Sequence, residues 1–163
     1  MSEGLQTIIV APHPDDEAIG AFKYLSDPTK SITVIYSGNT DLTRREEALG
    51  LKEHVPTIKA QLFQLNIPTV FLDRKNTFLF PDPIYEIHPE HRMWGMQGEM
   101  LARNGFDVIF YTVNMMAPYI YELSDTEKKQ KEELLNKVYP SQKSLWEYEK
   151  KYIFFQGYCK WIF

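Results

Sequence analysis

Near its start the chain carries a short apolar run, Thr7-Ile8-Ile9-Val10, that is halted by Pro12 and Pro14 and followed at once by His13, Asp15, Asp16 and Glu17. A run of that length and composition forms a strand buried on both faces of a parallel sheet. Open α/β sheets bind ligands beyond the carboxyl ends of their strands, so His13, Asp15 and Asp16 are predicted to stand in that crevice. By itself an Asp-Asp pair reads as turn and helix-cap chemistry ahead of a helix starting near Glu17. With an imidazole beside it, the pair reads differently, because adjacent carboxylates repel unless a cation or a shared proton lies between them.

The rest of the chain alternates in the same style. Ala18 to Leu25 reads as a short helix and Ser31 to Tyr36 as a second strand. A helix capped by Thr43 follows, interrupted at Pro56, and Thr69-Val70-Phe71-Leu72 reads as the third strand. Strand-helix alternation of this kind predicts an α/β fold: a Rossmann-like, doubly wound, mostly parallel sheet with helices on both faces. Arg74 to Glu90 reads as a loop, about His91 to Arg103 as a helix closed by Asn104-Gly105, Asp107 to Val113 as a strand and Asp125 to Val138 as a charged helix. The aromatic tail, Tyr152 to Phe163, reads as core. No repeat or linker interrupts the 163 residues, which suit one domain over 1–163.

Composition narrows the partners. Eighteen Lys and Arg against 22 Asp and Glu give a net charge of −4, with no basic stripe to hold a nucleic acid duplex. Cys159 is the only cysteine, so there is no disulfide framework and no cysteine-rich zinc module, which fits a reducing, cytoplasmic setting. No targeting segment is visible, and no apolar run approaches the length of a transmembrane segment. The 23 aromatic residues, 10 Phe, 10 Tyr and 3 Trp, must pack or bind sugar rings.

Three of the four histidines fall in two short motifs, His13-Pro14-Asp15-Asp16 and His88-Pro89-Glu90-His91, while His54 stands alone. Catalytic zinc takes three protein ligands and keeps one position open, a set that His13, Asp16 and His91 can supply. Two histidines and a carboxylate serve Fe²⁺ as well, although the iron triad usually sits on a β-rich barrel. Asp15, beside the ion and not on it, is then a general base for water, and His88 an electrophilic helper at the oxyanion or the leaving amine. Glu17 reads as an outer partner or a helix-start charge.

The string Ala11-Pro12-His13-Pro14-Asp15-Asp16-Glu17 after an apolar strand resembles the LmbE-like, or phosphatidylinositol-glycan class L, family of zinc-dependent de-N-acetylases. Thr43-Arg44-Arg45-Glu46-Glu47-Ala48 resembles that family's Arg-x-x-Glu helix start, His88 to His91 its His-Pro-Asp-His loop, and Glu122 to Ser141-Gln142 its late Lys-rich helix ending in Ser-Gln. The resemblance implies zinc on His13, Asp16 and His91, Asp15 as base, His88 on the oxyanion, and Arg44 and Asp73 contacting an amino sugar or glycoconjugate substrate. The chain departs from the pattern at Gly20-Ala21-Phe22, where Gly-Gly is common, and at Glu90. Asp73 to His88 is also too short for the usual helix and strand. The implied activity is removal of an N-acetyl group from an N-acetylglucosamine-type conjugate. Its rivals are an amidase for larger amides and a non-catalytic sugar-binding or scaffold protein. A nucleotide binder would need a Gly-rich phosphate loop that is missing after the first strand.

Overall fold

The computed structural model describes residues 5–114, 117–148 and 154–161. Its sheet has seven strands in the order β3-β2-β1-β4-β5-β7-β6. These are β1 (Thr7–Ala11), β2 (Ile32–Tyr36), β3 (Ile58–Phe63), β4 (Thr77–Pro81), β5 (Asp107–Thr112), β6 (Tyr119–Glu122) and β7 (Phe155–Cys159). The first five run parallel, β7 is antiparallel to β5, and β6 is antiparallel to β7. The fold is α/β, mostly parallel and Rossmann-like, as its alternation predicts.

The apolar run at the start forms the sheet's middle because neither of its faces meets water. Ile9 and Ala11 point into one core with α1 (Asp16–Gly20), α2 (Phe22–Leu25), α3 (Leu42–His54), α5 (Asp125–Val138) and α6 (Lys143–Tyr148). Ile8 and Val10 point into the other, under α4 (Pro89–Arg103). Successive residues thus serve opposite layers, the period of two that a strand imposes. α4 lies hard on β4 because Gly95 has no side chain, and a Cβ there would meet the Pro81 carbonyl oxygen at 2.5 Å.

Several boundaries differ from expectation. Thr69 to Leu72 is not a strand: Thr69–Phe71 is a 3₁₀ turn after Pro68, and Val70 is 73% exposed, which no interior strand position tolerates. The third strand is β3, whose Lys59 and Gln61 mark it as a half-solvated edge. β4 lies inside the segment read as loop; its Phe78, Leu79 and Phe80 are fully buried, and the prolines that suggested a loop only end it. A strand therefore does fit between Asp73 and His88. The first helix splits into α1 and α2, and α3 is capped by Asp41, which accepts from Arg44 N at 2.9 Å, rather than by Thr43. The aromatic tail enters the sheet as β7, while Tyr152, Ile153, Ile162 and Phe163 lie outside the described residues. Among the described residues no helix is long and apolar enough to cross a membrane.

Candidate metal centre

Two loops meet where the strand order reverses, between β1 and β4. The loop after β1 and the start of α1 bring His13, Asp15 and Asp16; the loop after β4 and the start of α4 bring Glu86, His88, Glu90 and His91. This is the crevice at which open α/β sheets bind ligands. His13, Asp16 and His91 offer one ligand atom each within 4.8 Å of one another. His91 Nε2 lies 3.1 Å from Asp16 Oδ2 and 3.3 Å from His13 Nδ1, and His13 Nδ1 lies 3.5 Å from Asp16 Oδ2. An ion bonded tetrahedrally at about 2.0–2.1 Å separates its ligand atoms by about 3.3 Å, so the three atoms fit three corners of such a site.

Both imidazoles are held from behind by carboxylates. Glu86 Oε2 is 3.2 Å from His91 Nδ1, and Glu90 Oε2 is 2.8 Å from His13 Nε2. Glu86 is itself pinned, its other oxygen accepting from Val113 N at the end of β5. Carboxylates on the far nitrogen of metal-binding histidines fix the tautomer and aim the other nitrogen at the ion. The sequence motifs do not single out Glu86. A carboxylate five residues ahead of a histidine is too common a pattern to mark it.

The electrostatics describe a cluster built for positive charge. Burial works against ionising Asp16, but His91 and His13 outweigh it and hold its carboxyl below the usual carboxylate range. Burial likewise opposes protonation of His91, yet Asp16 and Glu86 carry it up to about 10, and the hydrogen bond to Asp16 raises His13. Without an ion, protons neutralise the group; a cation can take their place.

Asp15 stands apart from the three. Burial and the neighbouring Asp16 charge push its carboxyl well above the ordinary value, with Arg44 pulling the other way. Its Oδ1 accepts from Arg44 Nη2 at 3.0 Å, and its Oδ2 is buried with no partner. The backbone there is left-handed at φ 113°, held by Glu17, which accepts from Asp15 N at 3.1 Å. Glu17 stands in the first turn of α1 but is fully buried: it accepts from the Tyr36 and Tyr139 hydroxyls, and burial pushes it up to about 7.

His88 caps α4, its Nδ1 accepting from Glu90 N at 3.2 Å, with its ring 5.3 Å from His13 and 4.9 Å from His91. Arg44 lines the cleft, but its Nη2 is committed to Asp15 and to the Pro14 carbonyl at 2.7 Å, so it holds the candidate base rather than standing free for substrate. Asp73 is not brought to the cleft. It precedes β4, at the opposite end of the sheet, and accepts from Lys75 N in a local turn. Among the described residues no Phe, Tyr or Trp lines it; most of those pack in the two cores.

The cleft encloses about 560 Å³, and its far wall comes from Val113, Asn114, Gln142 and Leu145. Ser141 ties that wall to α3, donating its hydroxyl and its N–H to Glu47 at 2.6 and 2.9 Å. Protein-family models give no match to the chain, and no curated protein matches it.

Proposed function

We propose that this chain is a metal-dependent hydrolase, with zinc on His13, Asp16 and His91, that removes the N-acetyl group from an N-acetylglucosamine-type conjugate in the cytoplasm. On this reading it belongs with the de-N-acetylases its motifs resemble. The observation that carries the reading is the pairing of two features: three ligand atoms spaced for one ion, and beside them a carboxylate with one buried, unpartnered oxygen. A binding protein has no need of the second.

When bound, a divalent cation polarises the acyl carbonyl and makes water more acidic. The chain's own residues do the rest. Asp15, with Oδ1 held by Arg44, uses Oδ2 to take a proton from the attacking water, whose oxygen bonds to the carbonyl carbon. Burial raises its pKa above the ordinary carboxylate range, which makes it a stronger proton acceptor. The C–N bond then breaks, the proton passes to the nitrogen, and acetate and a free amine leave. His88 accepts at Nδ1, so its neutral ring carries hydrogen on Nε2 and can donate to the carbonyl oxygen as negative charge grows there.

The test is metal content of protein purified without added metal, together with acetate release from N-acetylglucosamine derivatives before and after chelation. About one zinc per chain with chelator-sensitive release supports the reading, as a single three-ligand site requires. Metal without release from any acetylated sugar turns it toward an amidase of larger amides. Failure to bind supplied zinc overturns it.

A further inference from the structure

Resting on that hydrolase reading, we infer that the amine half of the substrate is uncharged and carries an apolar group, which Ile87 and Leu145 receive. The argument begins with charge. Among the described residues lining the cleft, the carboxylates are Asp15, Asp16 and Glu86, and Arg44 is the one guanidinium or ammonium group. Its Nη2 is already bonded to Asp15 and to the Pro14 carbonyl. Lys143, next to Gln142, stands 4.0 Å from Glu147 and is not among the lining residues. A phosphate or carboxylate on the substrate would meet one guanidinium in the described wall, already joined to Asp15, and three carboxylates beside it.

The outer part of the cleft has the opposite character. Ile87, 67% exposed, reaches it from the loop ahead of α4, and Leu145, 43% exposed, reaches it from α6. Aliphatic side chains left open to water inside a cleft gain by being covered, and polar atoms there orient more than they attract. Among the described lining residues the neutral polar groups are the amides of Asn114 and Gln142. No Phe, Tyr or Trp lines the described cleft, so stacking on a sugar face does not supply the affinity. The chemistry that fits is an N-acylated amine with neutral hydroxyls near the scissile bond and an alkyl or aryl group beyond them, such as an apolar glycoside.

Binding to the zinc-loaded protein, measured by calorimetry, would compare the hexyl and methyl glycosides of N-acetylglucosamine with N-acetylglucosamine 1-phosphate. Acetate release would be followed in parallel. The hexyl compound is expected to bind at least about tenfold more tightly than the methyl one, the scale of discrimination that an apolar contact gives. The phosphate is expected to bind more weakly than either. The double variant Ile87→Ser, Leu145→Ser, both at exposed positions, should bring the hexyl-to-methyl ratio close to one. Equal binding of hexyl and methyl glycosides, tightest binding of the phosphate, or an unchanged ratio in the double variant overturns the inference. Selective hexyl binding without acetate from any compound overturns the hydrolase reading instead and leaves the apolar subsite standing.

Discussion

Arg44 Nη2 donates to Asp15 Oδ1 at 3.0 Å, and the other oxygen of Asp15 is left buried without a partner. The two sides of one carboxylate therefore do different work: one is anchored, the other is free to exchange a proton. The anchoring guanidinium also offsets part of the burial that raises this group.

Replacing Arg44 by Met should cut turnover about 100-fold, the cost of a misplaced reacting group, while leaving metal content unchanged because Arg44 touches none of the three ligands. Since Arg44 lowers the Asp15 pKa, its loss raises it further, and the acidic limb of the pH–rate profile should move to higher pH. Turnover against pH with metal analysis of the same sample checks this; loss of metal would make Arg44 part of the ion site.

Glu86 reaches His91 Nδ1 from the buried side, with Val113 N fixing its other oxygen. Glu86→Leu should weaken metal binding about 10- to 100-fold, as removal of a histidine's carboxylate partner typically does. Competition against a chelator of known affinity measures the change. An unaltered affinity would show that His91 is held by packing alone.

His91 links stability to pH. Its value in the metal-free fold is raised to about 10 from an ordinary 6.5. A histidine raised on folding contributes stability that is complete below about 6.5 and is lost as pH climbs through the folded value. The metal-free protein should therefore lose melting temperature between roughly pH 6.5 and 10, through this group. Added zinc must displace the same proton, so its affinity and its protection should grow over that range. Thermal melts with and without zinc at several pH values test both halves.

Lys131 is fully buried on α5, where its Nζ donates to the Ile19 carbonyl at 2.7 Å, and burial pulls it well below its ordinary value. Gln156 Nε2 also donates to that carbonyl at 2.7 Å, so the oxygen keeps a partner if the lysine goes. Lys131→Met should stabilise the fold by about 1–2 kcal/mol at neutral pH. A lowered lysine makes the unfolded chain bind more protons below about pH 10.5, so it adds a rising stability-versus-pH slope there. The variant minus wild-type difference should shrink as pH approaches 10. Denaturant melts at pH 7 and 9.5 decide it.

The parts of the fold visible in the sequence were those with one unambiguous local signal. β1 announced itself as an apolar run stopped by prolines and α5 as a charged helix, whose start the structure fixes with a Ser124–Glu127 capping box. β4 was hidden because Asn76 on one side and Pro81-Asp82-Pro83 on the other imitate a loop, although Phe78, Leu79 and Phe80 between them are fully buried. Val70 and Leu72 misled in the other direction: they are apolar but exposed, and only the sheet's position determines that. In the site, the motif residues His13, Asp16 and His91 were readable because their types and clustering are chemical. Glu86 was not, since nothing in the order of residues says which carboxylate will reach the back of an imidazole. Arg44 was found but its partner was not, because a long side chain chooses between substrate and neighbour only once the loop after β1 is in place.

The clasp between Glu47 and Ser141 has a consequence for how such a protein can change. The ion-holding side chains and their supports lie between His13 and His91, apart from the Val113 N–H that pins Glu86, whereas Gln142 and Leu145 reach the cleft from a segment tethered at the surface through Ser141. Ile87 apart, the aliphatic and amide part of the wall thus lies on a stretch of chain separate from the ion-holding set. Substitutions accumulating around 141–145 can reshape one wall of the cleft while the ion-holding cluster stays intact, so on the proposed chemistry descendants of one ancestor are free to diverge in diet without inventing a new reaction.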